Sequence, residues 1–588
     1  MSDKHGGFVI GERLAAHGVR YLFTLCGGHI SPILTGAEDN EIKVVDVRDE
    51  ANAAFAADAV ARMTGTVGVV AVTAGPGVTN TITAVKNAQM AESPMLIFGG
   101  ATATILRGRG SLQDIDQLSI MEPITKWSAR ITQLSALGPA VDKAIRIAQE
   151  GVPGPVFLEV PVDLLYPQEV VHDWFMKESG VENGKGLGPK ALGMYLKGHL
   201  YWQFKAPNIA GIAEDVTPSM PSFVSDSVLK SQRKQVAKKL QAAKKPVLVL
   251  GSQTLVNMSP EEADQLAQAV TKMGLPTFLG GMGRGLLGHQ SEIQFRHKRS
   301  KALKEADVVL VAGFPFDFRL GYGQKIGRRA TLIAVNLDAV ALKKNRRPDI
   351  AIQTHAGHFL QELAKDVGTL EGLDDWFATL REREQARDEE IIAQGEEQQG
   401  ELVNPLKFFL KLEEKMADDS VLVVDGGDFV ATGSYILKPR RPLSWLDPGA
   451  FGTLGVGGGF AVGAALCRPD AEVWLIYGDG SSAYSLAEFD TCVRHGLAPI
   501  AVIGTDGSWA QIARDQVDLL GTPLGTVLLR SDYHTVAEGY GAVGLLLTEE
   551  SKIEETIEQA KSLAAEGKPV VINVHIDRTD FRKGSLSI

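Results

Sequence analysis

Cysteine is almost missing from this chain: Cys26, Cys467 and Cys492 are the only three in 588 residues, odd in number and far apart. That excludes a disulfide framework and is the cysteine usage of a reducing compartment. No apolar run approaches 20 residues, so no membrane-spanning helix and no membrane partner are expected. Positive charge is in deficit as well. A formal net charge of −11 lacks the basic footprint of a nucleic-acid binder. The opening stretch MSDKHGGFVIGERLAAHG has no basic segment leading into an apolar core, so no secretory signal is expected and a cytoplasmic setting is. Aromatic residues reach only 7%, yet the 44% hydrophobic and 22% charged content belongs to an ordinary globular chain with ample core.

What the chain does have is a rhythm. Apolar β-type runs alternate with helical stretches over residues 21 to 165 (VGVVAV, PMLIFGG, GPVFLEVP), again over 245 to 355 (KPVLVLG, ADVVLVAG, TLIAVNLD), and a third time from residue 420 (VLVVDGG, AEVWLIYGDG, PVVINVHI). Continuous apolar runs separated by helices predict buried parallel strands, hence an α/β fold of three doubly wound domains. Domains are expected at 1–170, 226–370 and 403–588, with an insertion at 171–225 and a charged helical linker at 371–402 whose charges form a solvated face. Residues 166 to 225 are rich in Gly and Pro and carry an aromatic patch, Tyr195, Tyr201, Trp202 and Phe204. Because glycines weaken helices, a connector packed on the neighbouring domain is expected there, ahead of a membrane-leaning helix or a partner surface.

The most informative stretch runs from Gly478 to Ser508. A β-run ending at Tyr477 leads into Gly478-Asp479-Gly480, then a helix from about Ala483 to His495, then a second β-run from Ile500 to Gly504 ending in Thr505-Asp506-Gly507-Ser508. A strand-helix-strand crossover sets parallel strands side by side with their carboxyl ends on one edge, where open α/β sheets bind ligands. Asp479 and Asp506 should therefore lie close together. Paired carboxylates suit a hard cation, and glycines let backbone amides approach phosphate. A lone Gly-Asp-Gly is more often a plain tight turn. The second acidic loop at the matching place is what favours the metal-and-phosphate reading.

These loops resemble the diphosphate-and-magnesium motif of thiamine diphosphate enzymes. The resemblance implies Mg2+ held by Asp479, Asp506 and the Ser508 carbonyl, with Gly478, Gly480, Ser481 and Trp509 beside the thiamine diphosphate. Thr505-Asp506 stands where that family usually has Asn-Asn, which adds negative charge around the ion. Other segments resemble the same family. Glu50, opening the alanine-rich helix after Arg48-Asp49, matches a glutamate that passes a proton to the cofactor's aminopyrimidine ring; alone it would read as a charge complementing a helix dipole. Gly75, Pro76 and Asn80 match a Gly-Pro-Gly-x-x-Asn turn, though the glycines also suit a plain strand-helix turn. In Gly449 to Gly455, Leu454 matches the apolar wedge that bends the cofactor, Gly452 supplies an acceptor carbonyl and Thr453 lies between them. Asp428 and Phe429 replace a Gln-His pair of acetolactate synthases, a change expected to alter the surroundings of the diphosphate or the reacting carbon.

Toward the substrate, Gly27-Gly28-His29-Ile30 resembles a turn of benzaldehyde lyases whose His handles a hydroxyl proton, which implies a catalytic His29. Gln113 matches a glutamine reaching the reacting centre in the same group, and Leu112 stands where acetolactate synthases have Phe. Residues 280 to 319 (Gly280 to Gly285, Arg299-Ser300-Lys301, Phe316 to Arg319) resemble the nucleotide-binding middle domain that holds FAD in acetolactate synthases or ADP in oxalyl-CoA decarboxylases and 2-hydroxyacyl-CoA lyases. A scaffold holding no nucleotide explains them equally well. The resemblance spans nearly the whole chain and is nearest to acetolactate synthase-like 2-hydroxyacyl-CoA lyases. It implies cleavage of a 2-hydroxyacyl-CoA to an aldehyde and formyl-CoA, or the reverse condensation. An acetolactate synthase or benzaldehyde-lyase-like acyloin enzyme acting on 2-oxo acids is the alternative, and an inactive regulatory paralogue a third reading. It also implies a homodimer as the minimum, a homotetramer as the expected assembly, and a lid formed by residues 577 to 588.

Overall fold

The computed structural model describes residues 5–181, 186–205, 225–397 and 400–582. They fall into two compact units, one within residues 1–61 and 66–220 and the other within 62–65 and 221–588.

In the first unit, β1 (Tyr21–Leu25), β2 (Lys43–Asp46), β3 (Gly68–Val72), β4 (Met95–Ala101), β5 (Trp127–Arg130) and β6 (Pro155–Pro161) form one parallel sheet in the order β2-β1-β3-β4-β6-β5. Strands β3, β4 and β6 are buried along their whole length, as their uninterrupted apolar runs require. The helix Glu50–Thr64 starts four residues after β2, so Glu50 stands at the carboxyl edge of the sheet.

The insertion departs from expectation. Residues Leu187–Phe204 form an 18-residue helix despite Gly188, Gly193 and Gly198. Tertiary packing outweighs propensity here. Leu196 and Leu200 join Val171, Phe175 and Met176 in a satellite core, and a Cβ at Gly193 would stand 3.0 Å from Val181. The helix is pinned further by the buried Asp163 carboxylate, which accepts from Thr104 and from Gln203 at 2.9 Å. Residues 206 to 224 of the expected insertion lie outside the described residues.

The second unit holds two more parallel sheets. The central one contains β7 (Pro246–Leu250), β8 (Thr277–Leu279), β9 (Gln294–Phe295), β10 (Val308–Ala312), β11 (Thr331–Asn336) and β12 (Ile350–Gln353), ordered β12-β11-β10-β7-β8-β9. Counted from its first strand this is 3-2-1-4-5-6, the order of dinucleotide-binding domains. The last sheet contains β13 (Val421–Asp425), β14 (Trp445–Leu446), β15 (Val473–Gly478), β16 (Ile500–Thr505), β17 (Val543–Leu547) and β18 (Val570–His575), ordered β14-β13-β15-β16-β18-β17. Its topology repeats that of the first sheet. The chain reverses direction across the sheet between β13 and β15, which makes that crevice the ligand position of such a fold.

Among the described residues, polar contacts to the last domain anchor the central one. The Arg296 guanidinium caps the carboxyl end of the helix Asp428–Ile436, donating to the carbonyls of Tyr435 at 2.7 Å, Ile436 at 3.1 Å and Leu437 at 3.1 Å. Arg284 adds a bond to the Ser434 carbonyl at 3.0 Å. The charged helix Asp374–Glu396 is more than a solvated connector: it buries Trp376, Leu380 and Ile391, and its Glu384 accepts the amides of Arg296 and His297.

Candidate active site

In the last sheet, β15 pairs with β16 in a register that sets Gly478 opposite Gly504, so the two acidic loops leave adjacent strands one residue apart. The helix expected from about Ala483 begins at Asp479 itself, runs to Ser485, and resumes over Glu488–His495. Asp479 is thus a first-turn residue, almost wholly buried. Its Oδ1 accepts the Gly480 amide at 2.8 Å and its Oδ2 the Gly507 amide at 2.8 Å, which ties one acidic loop to the other. Asp506 Oδ1 accepts only the Ser508 amide, at 2.9 Å. Burial raises both carboxyls above their ordinary range. Asp506 reaches about 7, first through burial and then through the charge of Asp479.

The floor of this crevice is backbone. Gly426 has φ 55° and Gly427 φ 100°, and a Cβ on Gly426 would lie 2.0 Å from Leu454 Cδ2, so only glycine admits the Leu454 side chain there. Ser481 Oγ donates to the Asp425 carbonyl at 2.5 Å and accepts the Gly478 amide at 3.1 Å, fixing the Gly-Asp-Gly turn against β13. A Cβ on Gly480 would strike the Trp509 indole at 2.4 Å. Gly452, at φ 65°, has nothing within 4 Å of its would-be Cβ, and Thr453 Oγ1 donates back to the Leu454 carbonyl at 3.1 Å. Ser508 Oγ donates to the Thr526 carbonyl at 3.1 Å.

Phe429 behaves differently from the sequence reading, whereas the charge of Asp428, behind burial and the charge of Asp479, acts on Asp506 and helps raise its pKa. Phe429 does not face this crevice: it is buried against Phe409 with ring centroids 4.4 Å apart, and it covers Gly504, whose would-be Cβ stands 2.3 Å from its ring. It is a core residue under the sheet edge. Asp428 engages its Oδ1 with Arg514 at 2.7 Å, with Arg582 at 3.9 Å. The change from Gln-His therefore gives one core packing residue and one ion pair that joins the helix Asp428–Ile436 to the helix Ala510–Leu520. Of the expected lid, residues 577 to 582 are described and 583 to 588 are not; Phe581 packs edge-on to Tyr435, with centroids 5.7 Å apart.

The first unit gathers its own set. Glu50 Oε2 accepts from Asn80 Nδ2 at 3.0 Å, and a Cβ on Gly77 would lie 3.6 Å from Glu50 Oε1. Gly75 (φ 62°) and Pro76 open the short helix Pro76–Asn80. His29 Nδ1 lies 3.2 Å from Thr73 Oγ1, and burial lowers its pKa, which leaves a neutral imidazole able to accept or relay a proton. Gln113 has φ 62°, and its Cβ lies 3.0 Å from a would-be Cβ on Gly75. The buried Gln117 amide links these pieces: its Oε1 accepts the Gly75 amide at 3.2 Å and its Nε2 donates to the Gly100 carbonyl at 2.8 Å, while Gly100 packs under His29. Glu50, Asn80, Gly75, His29 and Gln113 thus share one sheet edge.

Three family models match the chain in sequence order: the thiamine pyrophosphate enzyme N-terminal TPP binding domain over residues 4–120, the central domain over 233–363 and the C-terminal TPP binding domain over 425–574. The chain belongs to the thiamine pyrophosphate enzyme family. Among its relatives, 2-hydroxyacyl-CoA lyase 2 of Danio rerio is 49% identical, covering 100% of this chain and 94% of the relative. The protein of the same name from Homo sapiens is 45% identical over 100% and 92%. A probable acetolactate synthase of Mycobacterium bovis is 32% identical over 97% and 96%.

The chemistry of this thiamine pyrophosphate enzyme's crevice fits a metal-bound diphosphate. Two buried carboxylates with raised pKa values stand together, and among the described residues no third His, Cys, Asp or Glu joins them. A divalent cation would complete them with main-chain oxygen, and the side-chain-free Gly426-Gly427 floor leaves room for phosphate oxygens. Sequence reasoning missed Asp425, although its place just before Gly426-Gly427 at a strand end was a usable signal. Fully buried, it accepts the amides of Gly455 at 3.1 Å and Gly457 at 2.8 Å, holding the Leu454 segment on the crevice. Gln117 and the Asp428–Arg514 pair carried no signal that spacing alone could give.

Burial pushes the Asp425 carboxyl from 3.8 up to about 7. The folded protein therefore keeps this proton where the unfolded chain has lost it. Its stabilising effect is complete below about pH 4 and is lost as pH rises through about 7. Thermal unfolding of the unloaded protein at several pH values should show a decline between about pH 4 and 7 that is shallower in Asp425→Asn; equal slopes would contradict the assignment.

Proposed function

We propose that the chain is a thiamine diphosphate-dependent lyase that cleaves a 2-hydroxyacyl-CoA into an aldehyde and formyl-CoA, and that runs in reverse as a condensation. The relatives' names favour this over acetolactate synthesis, since the two 2-hydroxyacyl-CoA lyases share 49% and 45% identity against 32% for the synthase. The observation that carries it is a cavity of about 1080 Å³ in the second unit, lined by Arg284, Arg296, Lys298, Arg299 and Lys301 and floored by Ser434 and Tyr435. Burial lowers the pKa of Arg284, Arg296 and Arg299, and the charge of Arg284 adds to the lowering at Arg296 and Arg299. Lys298 and Lys301 are exposed, and Glu390, Glu397 and Asp580 share the lining, which leaves a net excess of cations that favours a polyanionic ligand. Coenzyme A brings several phosphate charges on a long flexible arm and fits this space, as would the FAD or ADP that the middle-domain resemblance implies; the single carboxylate of a 2-oxo acid does not fill it.

The reach is suitable. The helix Asp428–Ile436 leads from the glycine floor to the cavity, nine residues or about 13.5 Å at 1.5 Å each. An acyl-CoA held by its phosphates in the cavity could therefore present its acyl end toward the crevice.

Asp479, Asp506 and the Ser508 carbonyl would hold Mg2+, with Gly478, Gly480, Ser481, Gly426 and Gly427 around the diphosphate. Thiamine diphosphate, when bound, supplies the carbanion chemistry that the C–C cleavage needs. The protein's residues do the rest. Glu50, held by Asn80, would hold the aminopyrimidine and could pass a proton at its carboxylate, with Gly75 and Pro76 shaping the turn beside it; Gly452 and Leu454 would contact the bound cofactor. His29, neutral and oriented by Thr73, takes the substrate hydroxyl proton, and Gln113 hydrogen-bonds the reacting oxygen. A homodimer at least is the proposed assembly. The helix Ala510–Leu520 buries none of its residues; Leu519 and Leu520 at its end and Leu524 and Leu529 beyond it stand exposed, a surface suited to a second copy.

Offered a 2-hydroxyacyl-CoA and, separately, pyruvate, the protein loaded with thiamine diphosphate and Mg2+ should form formyl-CoA and aldehyde from the first and little acetolactate from the second. The opposite preference would reject the lyase reading. The cavity has its own test: Lys298→Glu combined with Lys301→Glu should raise KM for the acyl-CoA about tenfold or more. It should leave KM unchanged for the same acyl group on a short thiol lacking phosphates. Equal changes for both substrates would remove the cavity from the assignment.

A further inference from the structure

The insertion helix Leu187–Phe204 is apolar on two opposite faces, and only one of them is accounted for. At about 100° per residue, Gly193, Leu196, Leu200 and Gln203 fall on a single stripe, and these are the residues it buries. On the opposite side the same spacing places Leu187, Ala191, Met194, Tyr195, Tyr201 and Trp202. Leu187 is 87% exposed, Met194 71%, Tyr195 60%, Tyr201 66% and Trp202 51%. An ordinary surface helix would be polar here.

The charges on the helix have one sign. From Leu187 to Lys205 there is no Asp or Glu, while Lys190, Lys197 and Lys205 are all exposed. Lys190 and Lys197, seven positions apart, share one flank of the apolar face. Lys205 Nζ lies 6.0 Å from the Tyr201 ring centroid. The chain as a whole carries −11, so this local excess of cations runs against the general field and is a property of the helix itself.

We propose that this face is a docking surface for an anionic membrane, on which the helix lies flat without crossing. Three features agree on that occupant. Tyr and Trp have apolar bodies with one polar tip, which is the chemistry of the headgroup boundary. The flanking lysines have stems long enough to keep their ammonium groups among lipid phosphates while the apolar face sinks beneath them. No helix among the described residues is long and apolar enough to span a bilayer, so attachment by a surface helix is compatible with the rest of the chain. The sequence expectation of no membrane partner rested on the lack of a spanning run, and a helix lying in the interface does not need one. The chemistry specifies anionic phospholipid and no particular headgroup.

The test uses the full chain and vesicles of phosphatidylcholine, with and without about 30% phosphatidylserine. Wild type should co-sediment with the anionic vesicles at low salt, at least about tenfold more than with neutral ones, and should be released by high salt, as electrostatic attachment requires. Tyr195→Ser, Tyr201→Ser and Trp202→Ser together should abolish sedimentation while the thermal unfolding midpoint stays within a few degrees of wild type. Lys190→Glu with Lys197→Glu, which leaves the apolar packing untouched, should do the same and decides the matter if the triple variant does not fold. Wild type that ignores both vesicle types overturns the proposal. So does undiminished sedimentation of the lysine variant, or a wild-type oligomer that the triple variant dissociates without any lipid binding, which would make the face a protein contact.

Discussion

Two carboxylates that should repel each other are held side by side because two parallel strands end one residue apart. The pairing of Gly478 with Gly504 forces the juxtaposition of Asp479 and Asp506, and burial then withholds the water that would screen them. Backbone amides of Gly480, Gly507 and Ser508 offset part of the penalty, but amides are dipoles and do not neutralise a pair of charges. A fold that keeps such a pair in a glycine-floored crevice has left its electrostatic completion to a ligand. The turn at Gly426-Gly427, the Ser481 tie and the Asp425 anchor under Leu454 all serve to keep that crevice open and shaped.

The repeated strand order gives this constraint a second half. The first and last sheets share the order 2-1-3-4-6-5, and in both the chemistry-bearing residues follow the strands flanking the reversal: His29, Thr73 and Gly75 in one, Gly426, Gly427 and Asp479 in the other. In the proposed function the first set would manage protons and the second would manage charge. The central sheet has a different order, that of nucleotide-binding domains, and contributes a cationic cavity in place of another crevice. Three sheets of one general class thus carry three kinds of work, because what differs is the loop at each strand's carboxyl end.

Much of this was legible in the sequence for a simple physical reason. Buried parallel strands are uninterrupted apolar runs, and the runs read from the sequence end within a residue or two of β3, β4, β6, β10, β11, β15 and β16. The acidic loops were legible because strand-end glycines and aspartates mark the ligand edge of such sheets. The remainder depended on long-range contacts. Phe429 reads like a site residue by its position after Asp428, yet Phe408 and Phe409, some 20 positions earlier, draw it into the core. The insertion's glycines argue against a helix until Val181 is seen to need the space at Gly193. The charged linker looks solvated until Glu384 is found under the amides of Arg296 and His297. In each case a partner distant in sequence overrode a correct local tendency.

The central claim is that Asp479 and Asp506 together hold a divalent ion that grips a diphosphate, and calorimetric titration of the purified chain with thiamine diphosphate tests it most directly. Binding should be tight in the presence of Mg2+, weak once the ion is chelated, and weakened at least about a hundredfold in Asp479→Asn even at high Mg2+. Uptake that is indifferent to the ion, or equally tight in the variant, would contradict the account.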